Sequence, residues 1–471
     1  MALTIIPIAA SPSVEFDAQL IRKLNQQGPR YTSYPTADRF HAFDQGAFER
    51  IVAGLREGGK ARPISLYLHI PFCDTVCYYC ACNKIVTKDR SKAVTYLGYL
   101  KREISMQGAL FDGMNQVEQL HLGGGTPTYF NDEQMDELLA HLRQNFQFAS
   151  DEVGEYSIEV DPRTVTRERV FRLRAQGFNR ISLGVQDFDP NVQKAVNRIQ
   201  PEAETLAVIE AARDAKFRSV SIDLIYGLPL QSVATMEQTL AKVVKASPDR
   251  VAIYNYAHLP HLFKPQRRIS EADMPSSETR LDMLALCIAR LSEAGYVYIG
   301  MDHFARPTDD LALAQRHGLL HRNFQGYSTH AESDMVACGV SAISAVGASY
   351  SQNVKGLDAY YEKIDAGQLP IERGIELDAD DLLRRAVIQM LMCDFELAIE
   401  PLAQAHGIDF AHYFAPEMAR LAALAEDGLL TIEPGWLNVS PKGRLLIRNI
   451  CMVFDNYLNP QAEPLRYSRT I

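Results

Sequence analysis

Four cysteines lie within ten residues of one another, close enough to serve one metal centre from a single loop. They are Cys73, Cys77, Cys80 and Cys82, with the spacing C-x3-C-x2-C-x-C in the segment IPFCDTVCYYCACN. Three thiolates from one loop can hold three irons of a four-iron cluster, which leaves the fourth iron free to bind a substrate. Cys82 keeps an alternative open, because as a fourth ligand it would close the cluster and make it an electron carrier.

Zinc sites, disulfides and ordinary core cysteines explain this grouping less well. Structural zinc sites usually combine two pairs of ligands, and no second pair of this kind accompanies the loop. Eight cysteines in 471 residues are too few for a disulfide framework. The sequence also has no apolar run of about 18 residues and no secretory signal pattern at its N-terminus, so we expect a cytoplasmic protein with reduced thiols. An iron–sulfur cluster is therefore the favoured interpretation.

The elements that must position this loop follow an alternating pattern. From about residue 65, β-rich runs alternate with amphipathic helical stretches, and the runs are SLYLHI, VEQLHL, YSIEV, RISLGV, SVSIDLIYG, RVAIYNY and later YVYIGM. Polar or glycine-rich clusters follow the first six runs, where parallel α/β folds place their active sites. Six units before residue 260 predict an α/β fold with an open, partial (β/α)6 barrel rather than a complete barrel of eight units.

One helix of this pattern can be placed in detail. Asn131 and Gln134 have the spacing of a capping box at its start. The apolar residues that follow have the spacing of one buried helical stripe, namely Met135, Leu138, Leu139, Leu142 and Phe146. We therefore predict an amphipathic helix that begins after Asn131.

The pattern changes toward both ends of the chain and predicts three segments. Residues 1–60 contain the aromatic and proline-containing RYTSYPTADRF and are expected to form an N-terminal arm. Residues 61–370 form the predicted catalytic domain. Residues 371–471 carry helical stretches and a short hairpin, LLTIEPGWLNVS, which predict a mainly helical, winged-helix-like C-terminal domain that turns at Pro434 and Gly435.

The charge balance argues against a nucleic-acid partner. The formal net charge is −10, and the C-terminal segment has only Lys442, Arg444 and Arg448 as scattered basic residues near its hairpin. A winged helix that binds DNA requires a dense basic face, so we expect neither nucleic-acid binding nor membrane attachment.

The cysteine spacing after the first strand and the GGGTP segment after the second resemble the radical S-adenosylmethionine superfamily. The likeness continues through YLHIPFC, HLGGGTPTYF, SIEVDPR, GFNRISLGVQDF, IDLIYGLP, YNYAHLP, GMDHFARP and HRNFQGY, which are similar to the oxygen-independent coproporphyrinogen III oxidases. This resemblance implies a 4Fe–4S cluster on Cys73, Cys77 and Cys80, with S-adenosylmethionine bound at the open iron.

The resemblance also implies the reaction. Two propionate side chains of coproporphyrinogen III would be oxidatively decarboxylated to the vinyl groups of protoporphyrinogen IX in haem synthesis. A 5′-deoxyadenosyl radical from cleaved S-adenosylmethionine would abstract a hydrogen from each propionate. The reductant and the terminal electron acceptor are not identified by any motif, and we expect a monomer.

The family's binding residues can be carried over by motif. The residues implied around the cluster-bound S-adenosylmethionine are Tyr67, Gly124, Glu159, Ala257 and Ile343. Those implied around a second S-adenosylmethionine are Tyr79, Gly125, Thr126, Gln186, Arg198 and Asp223. Without the resemblance, Glu159, Arg198 and Asp223 are explained equally well as strand-end acids and surface ion pairs.

Cys82 is the residue that distinguishes between two possible functions of a protein with this scaffold. A haem-binding chaperone resembles the same superfamily but usually lacks the cysteine at this position, so Cys82 favours the oxidase and receives a role in turnover. The candidates for binding the propionates of the substrate are Arg30, Arg39, Arg306 and Arg322, for which ordinary surface arginine is the alternative.

Overall fold

The computed structural model describes residues 14–59, 62–113, 116–458, 467 and 469. The chain divides into two compact units, of which one comprises residues 32–287 and 330–385 and the other the described residues of 1–31, 288–329 and 386–471. Each unit combines separate stretches of the sequence, whereas each of the three predicted segments is one continuous stretch. The predicted domain boundaries at residues 60 and 370 therefore stay a prediction. Part of the predicted arm, residues 1–13 and 60, lies outside the described residues.

Six parallel strands form the centre of the first unit. They are β1 (Ile64–Ile70), β2 (Gln116–Gly124), β3 (Glu155–Val160), β4 (Arg180–Gln186), β5 (Ser219–Tyr226) and β6 (Arg250–Asn255). Each pairs in parallel with the next in sequence order. Within the described part of this unit the strand order runs from one edge to the other without closing. The prediction of six βα units in an open, partial barrel is confirmed.

Helices follow these strands, as expected for right-handed crossover connections. Their bounds are Ser91–Leu110, Asp132–Asn145, Arg167–Ala175, Pro190–Ala195, Glu202–Asp214, Val233–Ala246 and Ser277–Glu293, the last of which includes residues of both units. The capping box between Asn131 and Gln134 is present, and the predicted stripe of that helix is buried. The sequence pattern therefore placed this helix correctly.

A seventh strand and a meander extend the sheet beyond β1. Strand β7 (Asp334–Cys338) pairs in parallel with β1, and three antiparallel strands follow it, Ile343–Val346, Ser349–Asn353 and Ile371–Glu376. The strand His41–Ala42 then pairs with Ile371–Glu376, and the helices Gln45–Glu57 and Leu357–Asp365 also belong to this unit. Sequence patterning missed the meander because its strands are short and one, SYSQN, is fully buried although mostly polar.

The second unit contains short helices and small antiparallel sheets. Its helices are Ala18–Leu24, Asp310–Arg316, Ile399–His406, Phe410–Tyr413, Ala415–Glu426, Pro441–Leu445 and Ile447–Cys451, together with part of Ala379–Asp394. The predicted C-terminal hairpin is present as Leu430–Glu433 and Trp436–Val439, and Glu396–Ala398 adds a third strand. Gly435 in its turn has a φ of +81°, which glycine adopts without strain.

One predicted strand needs correction. The run YVYIGM does form a strand, Val297–Gly300, but it pairs antiparallel with His303–Ala305 in the second unit instead of continuing the parallel series. The remaining short pairings are Phe72–Cys73 with Ile85–Val86, Gln147–Phe148 with β2, and His321–Asn323 with Gly326–Ser328. Among helices in the described ranges, none combines the length and apolar character needed to cross a membrane.

A buried carboxyl group connects the helix Ser91–Leu110 to the strands beyond β1. Glu103 accepts hydrogen bonds from the Gly339 amide (2.7 Å), Asn353 Nδ2 (2.7 Å) and the Tyr360 hydroxyl (2.5 Å). Burial raises the pKa of Glu103 to about 7, although these three hydrogen bonds oppose the shift. Glu103 therefore exchanges its proton near neutral pH inside the folded unit.

Glu103 should make the stability of the protein depend on pH. A carboxyl group whose pKa is raised by folding stabilises the fold below its unfolded pKa, and this contribution is lost as the pH rises through about 7. The loss corresponds to about 3 kcal/mol across this range. In Glu103→Gln we expect a flatter change of melting temperature between pH 5 and pH 8, measured by circular dichroism, whereas the exposed control Glu57→Gln should follow the wild-type curve. Parallel curves for wild type and Glu103→Gln would contradict this assignment.

Candidate active site

The four clustered cysteines line one cavity of about 680 Å³ in the first unit. Their loop leaves the end of β1 through the short strand Phe72–Cys73, which is held in place by backbone hydrogen bonds from Ile85 to Pro71 (2.7 Å) and from Thr87 to Cys73 (3.0 Å). Cys77 is buried, Cys73 and Cys80 are half-buried, and Cys82 is exposed. The folded loop thus presents all four thiols to the same space.

Most of the binding residues expected from the resemblance line the same cavity. Besides the cysteines these are Tyr79, Gly124, Gly125, Thr126, Glu159, Gln186, Arg198 and Asp223. Tyr79 comes from the cysteine loop after β1, and the others come from the carboxyl ends of β2 to β5 and from the segments that follow them. The parallel pairing of these strands brings together residues that are up to 150 positions apart in sequence, since Cys73 and Asp223 lie on the same wall.

Three expected residues lie outside this lining, and two of them are linked to it through one intervening residue. The Tyr67 ring stacks on His121, which hydrogen-bonds to Glu159 at 3.1 Å. Gln266 Nε2 donates to the Ala257 carbonyl (3.2 Å) and to the Tyr79 carbonyl (3.0 Å).

Ile343 is the third of these residues, and it begins the strand Ile343–Val346. Among the residues that the structure describes, Ile343 does not line the cavity. The expected roles of Tyr67, Ala257 and Ile343 stay predictions.

Two glycines let the backbone of β2 approach the cavity closely. Gly124 has a φ of +110°, and an added Cβ would lie 2.5 Å from the His69 ring. A Cβ on Gly125 would lie 2.7 Å from the Pro71 and Phe72 backbone of the cysteine loop. Larger residues would therefore push the GGGT segment and the cysteine loop apart.

The cysteine sulfurs have different hydrogen-bond donors. The Thr126 hydroxyl is 3.6 Å from Cys73 Sγ, while Arg198 Nη1 and Arg163 Nη2 are 3.5 and 3.9 Å from Cys77 Sγ. Burial raises the pKa of the Cys73 thiol to about 11. A hydrogen bond from the Cys82 thiol lowers the pKa of Cys80 to about 6, and the same bond raises the pKa of Cys82.

This donor set fits an iron–sulfur cluster. Three thiols from one loop share the cavity with polar donors, and each thiolate of such a cluster binds a different iron. The described residues contain no group of three His, Cys, Asp or Glu gathered around a single metal-ion position. Cys73, Cys77 and Cys80 would hold the cluster, and the cavity beside them has room for a ligand on its open iron.

Two carboxyl groups on the cavity wall differ in their electrostatics. Burial acts to raise the pKa of Glu159, but the hydrogen bonds from His121 and from the Gly124 amide (3.2 Å) outweigh it, and the pKa falls below its usual value. Burial, together with the charge of Glu159, raises the pKa of Asp223 to about 7. Glu159 is therefore ionised at neutral pH and suited to bind a cationic group such as an ammonium.

Two functional candidates in the cavity were not predicted from the sequence, and the four arginines predicted to bind propionates do not line it. Asp161 and Arg163 line the cavity, and their position in EVDPR at the end of β3 was the available signal. The arginines proposed for the propionates do not line this cavity, and three of them, Arg30, Arg306 and Arg322, belong to the second unit. Their predicted role stays a prediction.

Comparison with known proteins assigns the chain to a family. Residues 67–243 match the radical SAM superfamily, and residues 377–446 match the HemN C-terminal domain. The oxygen-independent coproporphyrinogen III oxidase of Pseudomonas aeruginosa is 50% identical over 98% of this chain and 99% of its own length. The protein of that name from Escherichia coli is also 50% identical, over 97% of this chain and 99% of its own length.

A solved structure agrees with these sequence matches. The coproporphyrinogen III oxidase of Escherichia coli, described as a radical SAM enzyme, matches with a TM-score of 0.90 at 49% identity and covers 95% of this chain and 100% of its own. Similarity of this extent includes the cysteine loop, the strands around the cavity and the C-terminal region. The chain therefore belongs to the family of oxygen-independent coproporphyrinogen III oxidases within the radical SAM superfamily.

Proposed function

We propose that this chain catalyses the oxygen-independent oxidative decarboxylation of two propionate groups of coproporphyrinogen III, which yields protoporphyrinogen IX. The observation that carries the proposal is the single cavity in which three loop cysteines meet the glycine-rich end of β2 and the carboxylates of β3 and β5. Relatives that match nearly the full chain and are named for this oxidation support the substrate.

A bound 4Fe–4S cluster would supply the electron that cleaves S-adenosylmethionine to the radical needed for hydrogen abstraction. The protein provides the binding groups. Cys73, Cys77 and Cys80 hold the cluster, and the ionised Glu159 attracts the positive groups of the ligand. The backbone at Gly124 and Gly125 allows close approach without a side chain between the ligand and the sheet.

A second S-adenosylmethionine site is part of the proposal. Tyr79, Gly125, Thr126, Gln186, Arg198 and Asp223 all line the cavity. The Asp223 carboxyl lies 3.5 Å from the Ser182 hydroxyl and, once ionised, can accept hydrogen bonds from ribose or amino groups. Arg198 supplies a cationic partner for a carboxylate. The cavity therefore offers groups of both signs for a zwitterionic ligand.

Cys82 is proposed to act in turnover without binding iron. Its thiol donates a hydrogen bond to Cys80, so it supports a thiolate that the cluster would require. The chain is further proposed to act as a cytoplasmic monomer that draws on an external reductant and an external electron acceptor.

The substrate proposal is tested by anaerobic turnover. The reconstituted, reduced protein is supplied with S-adenosylmethionine and coproporphyrinogen III, and deoxyadenosine and product mass are followed together. We expect a product lighter than the substrate by two carbon dioxide molecules and four hydrogen atoms. Each propionate then loses one carbon dioxide, one hydrogen atom to the deoxyadenosyl radical, one proton to solvent and one electron to the external acceptor. Deoxyadenosine formation without loss of two carbon dioxide molecules would contradict the proposed substrate.

Single cysteine variants test the three-ligand arrangement. Cys73→Ala, Cys77→Ala and Cys80→Ala should each lose the visible absorbance of the cluster and most of the bound iron, because each would remove the ligand of one iron. Cys82→Ala should keep its iron and lose most of its turnover. Cys287→Ala, at a buried cysteine outside the cavity, serves as the control with unchanged iron. Iron loss in Cys82→Ala would refute the assignment.

Binding stoichiometry tests the second ligand site. Equilibrium dialysis of the reconstituted protein with labelled S-adenosylmethionine should give two molecules bound per chain. Asp223→Asn should retain one, because the cavity then lacks the carboxylate proposed to bind the second molecule. Asp214→Asn changes an exposed carboxylate of a surface ion pair and should retain two. One molecule per chain in the wild type would exclude the second site.

A further inference from the structure

We propose that Arg163, oriented by Asp161, is a positioning residue that acts through Cys77 to raise the reduction potential of the cluster. This inference rests on the proposed cluster ligation by Cys73, Cys77 and Cys80, and it is independent of which substrate the enzyme decarboxylates. Neither Arg163 nor Asp161 was among the residues expected from the family resemblance.

The geometry around Cys77 differs from that around Cys73. Arg163 Nη2 lies 3.9 Å from Cys77 Sγ, and Arg198 Nη1 lies 3.5 Å from the same sulfur. Cys73, by comparison, receives a neutral hydroxyl from Thr126 at 3.6 Å. Two cationic donors therefore converge on one thiol of the loop.

Asp161 holds both guanidinium groups in this arrangement. Its Oδ2 accepts from Arg163 Nη2 at 2.6 Å and from Arg198 Nη1 at 3.2 Å, and its Oδ1 accepts from Arg163 Nε at 3.0 Å. Asp161 Oδ1 also accepts from the Arg163 backbone amide at 3.1 Å and so caps the short 3-10 turn Pro162–Thr164. A side chain restrained at both its backbone and its guanidinium has little freedom to turn away from Cys77.

The charges of this group are poorly screened by water. The side chains of Asp161 and Arg163 are only 10% and 18% exposed, and that of Arg198 is 8% exposed. One carboxylate faces two guanidinium groups, so a positive charge remains beside Cys77. Charge interactions over a few ångströms are strong in such surroundings.

This positive charge favours the reduced form of the cluster. Reduction adds one electron from an external donor and therefore one negative charge, part of which lies on the cysteine sulfurs. Hydrogen-bond donors and positive charges near those sulfurs stabilise the reduced state and raise the reduction potential. An ordinary structural ion pair between Asp161 and Arg163 would need no contact with Cys77 and would leave the potential unchanged.

The inference is tested by the midpoint potential of the reconstituted cluster, measured by redox titration under electron paramagnetic resonance without coproporphyrinogen. At the potential that half-reduces wild type, Arg163→Gln should have a ratio of reduced to oxidised cluster at least tenfold lower, which corresponds to a midpoint about 59 mV more negative. Arg163→Lys should fall between the two, because its single ammonium group keeps the charge but does not match the planar fork of arginine. Iron content measured in parallel confirms that each variant carries its cluster.

The matched control is Arg167→Gln, which removes an exposed arginine that pairs with Asp214 and does not line the cavity. Its potential should equal that of the wild type. An unchanged potential in Arg163→Gln overturns the inference, and if that variant does not hold its cluster, an unchanged potential in Arg163→Lys overturns it instead. A wild-type protein that binds no cluster would instead refute the proposed function, so the two failures are distinguishable.

Discussion

The site depends on the parallel pairing of β1 and β2, which brings two loops of different composition side by side. Beyond the strands, the pairing continues as backbone hydrogen bonds from Gly125 to Ile70 and from Thr126 to Phe72, both at 2.8 Å. These bonds hold the GGGT segment directly against the start of the cysteine loop. Because Gly124 and Gly125 have no Cβ, the backbones of the GGGT segment and the cysteine loop can approach closely enough to share one cavity wall. Backbone geometry therefore helps to position the cysteine loop.

Around this backbone frame, the charged groups are arranged in pairs with distinct functions. Glu159 is kept ionised by His121 and the Gly124 amide, while Asp223 on a neighbouring part of the wall has a raised pKa. On the side of Cys77, Asp161 restrains two arginines that would otherwise repel each other. The cavity therefore presents both a carboxylate for a cationic ligand and cationic groups beside a thiol. Such a combination matches the needs of a negatively charged cluster next to a zwitterionic cofactor.

Much of this arrangement was predictable from local sequence. The alternation of β-rich and helical segments predicted six parallel strands, and the rule that active sites lie at their carboxyl ends placed the cysteines and Glu159 correctly. The prediction of strands from the sequence was weaker where a strand buries mostly polar residues. The strand Ser349–Asn353 has few apolar residues to give a periodic pattern, yet it lies inside the sheet. The run YVYIGM had a clear strand pattern, but this pattern could not show that the strand pairs antiparallel with His303–Ala305. The direction and partner of a strand are set by the rest of the fold.

By itself, the sequence determined the chemistry of the loop, since C-x3-C-x2-C supplies three thiols that suit a cluster with one open iron. It also determined the order of the strands that carry the binding residues, because parallel βα units follow one another along the chain. The tertiary structure decided which side chains actually meet. Arg163 contacts Cys77 only because the turn after β3 lies beside the cysteine loop, which is more than 80 residues earlier in the chain. Contacts between such distant segments depend on packing across the whole sheet, and no local pattern in the sequence encodes them.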